Sequence, residues 1–311
     1  MKILLLGANG QLGRTFLDQG GLAARGELLA ASRDGTLVAG GNGEAVDLSI
    51  PESLPVLLDR LHPDVIVNAA AYTAVDCAEQ EEALATRVNG EAVGALGGWA
   101  ALHGALLIHY STDYVFDGRQ LQPYAVDAPT GPLGAYGRSK LAGEKALRES
   151  GADHFIFRTA WVYAAYGQNF LRTMLRLGAE RDELRVVADQ HGAPTNTDLI
   201  VGGTLAALDR WLASDRAQRK ALAGTHHLVA SGATTWYGFA SAIFEAARAC
   251  GVLPNPPRLV AIATAEFPTP AVRPSYSLLD NGGFQHHFGF TLPDWQRGLQ
   301  DAIRRVAAFG R

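Results

Sequence analysis

The stretch Lys2-Ile3-Leu4-Leu5-Leu6-Gly7-Ala8-Asn9-Gly10-Gln11-Leu12-Gly13 decides the fold. Lys2–Leu6 is a short apolar run that Gly7 breaks, and the spaced apolar residues after Gly13, Phe16 and Leu17, suit a helix. The segment therefore reads as a buried strand, a tight turn and a helix, which is a βα unit. Gly7, Gly10 and Gly13 let the backbone turn sharply and approach a pyrophosphate, whose charge would sit on the free N–H groups of the helix N-terminus. A G-x-x-G-x-x-G spacing departs from the G-x-G-x-x-G of the commonest dinucleotide folds and also suits a turn with packing duties only. Its place at the start of a βα unit favours nucleotide binding.

The same theme recurs outward from this stretch. Apolar runs at Glu27–Ala31, Val65–Ala69, Leu106–Tyr110 and Phe155–Arg158 are separated by helical stretches such as Glu79–Ala101. These runs lack period-two alternation, as expected of strands covered on both faces, and their short length favours strand over buried helix. The expected fold class is α/β: a Rossmann-like doubly wound parallel sheet with a smaller C-terminal substrate-binding lobe. The chain's 311 residues suit two domains. The expected division is residues 1–160 for the dinucleotide and 161–311 for the substrate, with later segments around 184–215 as candidates to rejoin the first sheet. Beyond Trp161 the expected elements are helices at Asn169–Gly178 and Asp198–Ala213 and strands at Leu184–Ala188 and His226–Ala230. Six prolines then crowd residues 254–274, which predicts an irregular lobe.

Composition excludes several classes. Hydrophobic residues are 48% and charged residues 19% of the chain, too apolar for disorder. Lys+Arg of 27 against Asp+Glu of 31 gives a net charge of −4 without a basic block, so no nucleic acid partner is expected. No apolar stretch approaches the roughly 18 residues of a membrane span, and no signal peptide is expected. Cys77 and Cys250 are too far apart in sequence for a Cys-x-x-Cys motif, and a cytoplasmic location is expected.

Two further clusters carry chemistry. The end of the second strand should meet the adenosine ribose, and Ser32-Arg33 stands where an NAD site usually has Asp or Glu. A guanidinium can pair with a 2′-phosphate, which favours NADPH, with NADH as the alternative. Tyr136 and Lys140 are four apart, on one helix face, where an ammonium would lower the phenol pKa. The strand ending in Tyr110-Ser111-Thr112-Asp113 puts hydroxyls at the carboxyl edge of the sheet. Thr112 could hydrogen-bond a carbonyl oxygen that gains charge while Tyr136 supplies a proton; alternatively, Ser111 and Thr112 cap a loop.

With these residues in this order the chain resembles the extended short-chain dehydrogenase/reductase family, and within it the members that reduce 4-keto-6-deoxy sugar nucleotides. The resemblance covers nearly the whole chain. It rests on Gly7–Gly13, residues 67–76 (VNAAAYTAVD), Ser111–Phe116, Tyr136–Lys140, residues 158–163 (RTAWVY), residues 189–195 (DQHGAPT) and Arg273-Pro274. It implies NADPH-dependent reduction of the C4 ketone of dTDP-4-dehydro-6-deoxy-L-mannose to dTDP-L-rhamnose, the final step of dTDP-rhamnose biosynthesis. It implies a catalytic set of Thr112, Tyr136 and Lys140, and sugar-nucleotide contacts from Thr112, Asp113 and Trp161. For the cofactor it implies Gly10, Gln11 and Leu12 at the pyrophosphate, Asp47-Leu48 at the adenine, and Ala71-Tyr72-Thr73 at its middle, with Lys140 on the nicotinamide ribose. A sugar-nucleotide epimerase of the same fold and a non-catalytic relative are the rival readings, and intact Thr112, Tyr136 and Lys140 weigh against the second. Either a monomer or a homodimer fits.

Some members carry a carboxylate just after the third glycine that serves a magnesium ion at a dimer interface. Here Gly13-Arg14-Thr15 stands instead, and no metal is expected. The pairs His226-His227 and His286-His287 do not change that, since neighbouring strand residues face opposite ways. Trp236 and Trp295 read as packing anchors, and Glu79, Glu81 and Glu82 as a solvated helix start.

Overall fold

The apolar runs become strands of one parallel sheet in a computed structural model, which describes residues 1–309. They are β1 (Lys2–Leu6), β2 (Glu27–Ser32), β3 (Glu44–Ala45), β4 (Val65–Asn68), β5 (Leu106–Thr112) and β6 (His154–Thr159). Seven further strands follow: β7 (Val162–Tyr163), β8 (Glu183–Val187), β9 (His191–Gly192), β10 (Thr195–Asn196), β11 (Gly224–His227), β12 (Thr234–Thr235) and β13 (Arg258–Ile262). The sheet order is β11-β6-β5-β4-β1-β2-β3. The chain runs outward from β1 on one side, then returns to lay β4 on the other. At this reversal the connections part, and a crevice opens beyond the carboxyl ends of β1 and β4.

Side-chain alternation along β1 feeds two separate cores. Ile3 and Leu5 face a core that holds Phe16 of α1 (Gln11–Gln19), and Leu4 and Leu6 face one built from α2 (Leu54–Leu61) and α4 (Ala92–His103). The predicted helix over Glu79–Ala101 starts later, as α3 (Glu82–Thr86), and reaches α4 through a π-helical turn at Arg87–Glu91. α5 (Ala135–Ser150) follows β5 and carries the Tyr136/Lys140 pair. On the first core's face lie α6 (Phe170–Glu180), α7 (Thr197–Leu212), α9 (Trp236–Ala249), α10 (Gly282–Phe288) and α11 (Trp295–Phe309), with α8 (Arg216–Leu222) ahead of β11.

The strand that rejoins the sheet differs from the expectation for residues 184–215. β11 adds beside β6, with Thr225 opposite Ile156, whereas β8 pairs with β13 in a separate two-stranded sheet. The reason lies in β8 itself. Only Leu184 and Val186 are buried in it, the pattern of a ribbon with one wet face, while the sheet beside β6 needs cover on both. From 184–215 it is α7 that packs on α1 and the residues after it: a Cβ on Gly21 would strike Leu205, and Arg25 pairs with Asp209.

Beneath the edge of the crevice lies a buried ion pair. Arg158 of β6 donates through Nε and Nη2 to the two oxygens of Glu144 on α5, at 2.9 and 2.8 Å, and through Nη1 to the Val126 carbonyl. Ser111 and Arg148 also donate to Glu144. Burial pushes the Glu144 carboxyl up, but the Arg158 guanidinium and these donors more than reverse it, leaving its pKa below the ordinary value. A depressed carboxylate contributes stability that is complete above its unfolded pKa and is lost as pH falls through the folded one. Arg158→Met should cost about 3–5 kcal/mol in urea unfolding at pH 7, because it strands a buried carboxylate. The deficit should shrink as pH falls, first as the stranded Glu144, raised by burial, takes up a proton in the variant, until the parent's Glu144 is protonated as well; a pH-independent deficit would show that the pair is not what was lost.

Candidate active site

A cleft of about 570 Å³ runs along the carboxyl edge of the sheet, from the β1–α1 turn to the front of α9. At one end Gly7 adopts φ +79°, and a Cβ there would stand 2.6 Å from the Ala70 nitrogen. Gly13 is closer still; its Cβ would come 2.1 Å from the Gly7 carbonyl. Gly10, by contrast, meets only the Gly7 oxygen at 3.3 Å and lines the cleft with Gly7, Gln11 and Leu12. No side chain caps the N-terminus of α1, so its first-turn N–H groups present partial positive charge. That cradle fits the pyrophosphate of a dinucleotide. Gly13 serves the turn's packing and does not line the cleft.

The adenosine end is walled by Arg33, Val46, Asp47 and Leu48. Ser32 is not part of the wall. Its hydroxyl donates to the Thr36 carbonyl at 2.8 Å and to Asp34, fixing the loop beyond β2. Asp34 is occupied in the same turn, accepting from Thr36 N–H, which leaves Arg33 as the side chain of this loop that faces the cleft. Ala71 and Thr73 line the middle, but Tyr72 does not: its hydroxyl donates to Glu81, whose charge together with burial pushes the phenol pKa up to about 12. The Tyr72 backbone is clamped instead. Asn89, in the π-helical turn, accepts from Tyr72 N–H and donates to Tyr72 C=O and to Ser139 Oγ on α5.

Thr112, Asp113, Tyr136, Lys140 and Trp161 converge on the far part of the cleft. Thr112 donates to Asp113 Oδ1 at 2.9 Å and accepts from Tyr114 N–H, so its hydroxyl also caps the turn after β5. Asp113 is buried with Oδ2 unpartnered. Burial pushes its pKa up to about 6, against the Ser277 and Thr112 hydroxyls that lower it. The expectation that Lys140 lowers the Tyr136 pKa is not met here. Desolvation raises it, Asp113 raises it further, and only the Thr112 hydroxyl opposes them, so the phenol keeps its proton at neutral pH. Lys140 donates to the Tyr110 carbonyl at 2.6 Å and lies 3.5 Å from His109 Nε2; burial draws its amine down to about 8, with Glu144 pushing back. His109 is neutral, its pKa lowered by burial and then by Lys140, and its Nδ1 meets the Asn68 amide.

The sequence profile described as RmlD substrate binding domain matches residues 1–308. The chain belongs to that family. It is 46% identical to the dTDP-4-dehydrorhamnose reductase of Burkholderia thailandensis and 46% identical to that of Escherichia coli K12, with 98% of each chain covered in both cases. Among solved structures it is similar to a dTDP-4-dehydrorhamnose reductase from Clostridium acetobutylicum, with TM-score 0.86 and 32% identity over 98% of this chain and 99% of that one. The enzyme of that name from Bacillus anthracis, in complex with NADP, superposes with TM-score 0.83 and 31% identity, again over 98% and 99%.

Two parts of this RmlD-family cleft escape a reading of the sequence. Trp236 is no mere packing anchor: it lines the cleft and stacks on Trp161 with ring centroids 3.5 Å apart. Nor are the acidic residues at the start of α3 a free solvated face. Glu81 holds Tyr72, Glu82 pairs with Arg138, and Glu79 accepts the Ala135 N–H at 2.8 Å, capping α5 one residue before Tyr136. A Cβ on Gly134 would meet that carboxylate at 2.7 Å, so the glycine admits it. A charged acceptor there suits the helix dipole. Glu79→Ala should cost about 1 kcal/mol in urea unfolding, the ordinary loss for an N-terminal cap; an unchanged midpoint would mean that the contact contributes nothing.

Proposed function

We propose that this protein reduces the C4 ketone of dTDP-4-dehydro-6-deoxy-L-mannose with NADPH to give dTDP-L-rhamnose. One observation carries the reading: a glycine-cradled, uncapped helix N-terminus and a Thr112/Tyr136/Lys140 cluster open into the same cleft. The names and whole-length identity of the relatives supply the substrate. Within this reading residues 1–160 hold the dinucleotide and 161–311 the sugar nucleotide, with β11 returning to the first lobe. No helix among the described residues is long and apolar enough to cross a membrane. The reaction belongs in the cytoplasm, where the unpaired Cys77 and Cys250 stay reduced.

NADPH, when bound, supplies the hydride that C4 accepts. The chain's residues hold the reactants and move the proton. Gly7, Gly10, Gln11 and Leu12 take the pyrophosphate, Asp47 and Leu48 the adenine end, and Ala71 and Thr73 the middle. Tyr136 gives its proton to the ketone oxygen as that oxygen gains charge, a role suited to a phenol that desolvation keeps protonated. The Thr112 hydroxyl, turned from Asp113 onto the same oxygen, stabilises the developing negative charge. Lys140, anchored on the Tyr110 carbonyl, offers its remaining protons to the nicotinamide ribose. Asp113 Oδ2, buried and unpartnered, is the acceptor for a hexose hydroxyl, and Trp161 orients the ring.

Tyr136→Phe should lower kcat by about 10²–10⁴ with NADPH affinity unchanged, since one hydroxyl carries the proton; near-normal turnover would move the acid elsewhere. Arg33→Ala should raise the KM for NADPH by about 10- to 100-fold, the worth of a charge-assisted hydrogen bond, and leave that for NADH within about twofold. Equal losses would show that Arg33 does not read the 2′-phosphate. An epimerase would consume no NADPH, so nicotinamide absorbance with the 4-keto sugar nucleotide decides between the two activities.

A further inference from the structure

Trp161 carries a main-chain conformation that few non-glycine residues adopt. Its φ is +47°, in the left-handed region, where the Cβ crowds the following carbonyl at a cost of about 1–2 kcal/mol. The residue lies in the turn between β6 and β7, and it lines the cleft that Asp113 and Tyr136 also line. Something must hold a large side chain in place over so unfavourable a backbone. Thr195 N–H reaches the Trp161 carbonyl only at 3.3 Å, which fixes the main chain and leaves the indole free.

The indole is held from elsewhere in the sequence. Trp236, the first residue of α9, lies parallel to it, with 5° between the planes and 3.5 Å between centroids. Gly192 closes in as well, for a Cβ there would stand 2.4 Å from Trp161 Cε2. Both neighbours come from one construction. β9 pairs antiparallel with β12, Gly192 opposite Thr234, and Thr235 caps α9 by accepting Gly238 N–H, which sets Trp236 at the head of the helix. Trp236 is itself fixed: its Nε1 donates to Gln190 Oε1, Gln190 donates to Thr264, and Phe170 packs against the ring at 4.7 Å. Trp236 is thus tethered through Gln190 and Phe170, and it lends its face to Trp161.

We propose that Trp236 is a positioning residue for the sugar: by stacking on Trp161 it holds that indole against its strained backbone, and the pair forms an apolar wall for the hexose of a sugar nucleotide. The proposal rests on the reading that this cleft takes such a substrate. The wall's chemistry is specific. Stacked face to face, the two indoles meet the cleft with the ring surface left open, which is apolar and poor in donors; it suits the apolar face of a deoxyhexose and gives nothing to a diphosphate or a base. Trp236 should therefore matter to the sugar and not to the nucleotide.

A double-mutant cycle tests this by calorimetric binding of two probes, dTDP-L-rhamnose and dTDP, to the full chain. Phe preserves an aromatic ring at each position, so folding is retained, and NADPH affinity checks it. Trp236→Phe should weaken dTDP-L-rhamnose by several-fold and Trp236→Leu by about tenfold, with dTDP within about twofold in both. In a Trp161→Phe background the further loss from Trp236→Phe should largely vanish, because the residue acts through Trp161. In turnover the KM for the sugar nucleotide should rise more than kcat falls. Equal weakening of dTDP and dTDP-L-rhamnose, strict additivity of the two Phe substitutions, or no loss in either Trp236 variant would each overturn the proposal. Failure of the underlying reading is seen separately and first: unsubstituted protein would then neither bind dTDP-L-rhamnose nor oxidise NADPH with the 4-keto sugar.

Discussion

The contact on which the rest of the molecule depends is backbone against backbone, at Gly7 and Gly13. Two peptide segments pass there at distances no side chain permits, since a Cβ on Gly13 would lie 2.1 Å from the Gly7 carbonyl. That approach seats α1 directly on the end of β1 and leaves its first N–H groups facing outward. It also lets the chain after β4 pass within reach of Gly7, so the Ala70–Thr73 segment becomes the opposite bank of the same cleft. A methyl group at either glycine would part these banks before any chemistry was in question.

Charge is distributed around the cleft by depth. Glu144 and Arg158 neutralise each other beneath it, bind α5 to β6, and receive Ser111 from β5. One turn back along α5 the pattern changes, for Lys140 is buried on a carbonyl and a neutral histidine with no carboxylate in hydrogen-bond contact. Asp113 is buried with one oxygen unpartnered, and Tyr136 is kept protonated. The structural pair is satisfied and inert, whereas Asp113 at the cleft is short of a partner. Unfilled hydrogen-bonding capacity in a desolvated place is what a site gains from such a scaffold, because a ligand that completes it is bound strongly and in one orientation.

Much of this was legible in the residues. The first βα unit follows from an apolar run and three glycines, the strands β4, β5 and β6 from unbroken apolar runs, and the Tyr136/Lys140 pair from helical spacing. Roles that depend on side-chain direction were not. Tyr72 sits in a cleft-forming segment but turns to Glu81; Ser32 sits at the correct strand end but closes its own loop. Local spacing places a residue at an edge and is silent about which way it faces there. Glu79 and Trp236 were hidden for another reason: each meets its partner, Ala135 or Trp161, across 56 or 75 residues, and nothing in either's own neighbourhood marks it. β8 and β11 are both short, and the choice of which one extends the sheet is made by the burial each can accept.

The position of β11 bears on how such a chain can be made. β6 is complete once Thr159 has been synthesised, yet its outer hydrogen-bonding edge is covered only when Gly224–His227 arrives. During the intervening stretch a growing chain carries a flat apolar strand, rich in Phe and Ile, with one row of amides and carbonyls unclaimed. Exposed edges of that kind recruit other strands, including those of neighbouring nascent chains. Residues 160–223 are therefore a window of vulnerability in synthesis, in which α6 and then α7 add cover to the apolar face while the strand edge stays open. The segment that lies furthest from the glycine turn along the sheet is thus the one that ends the chain's dependence on outside protection.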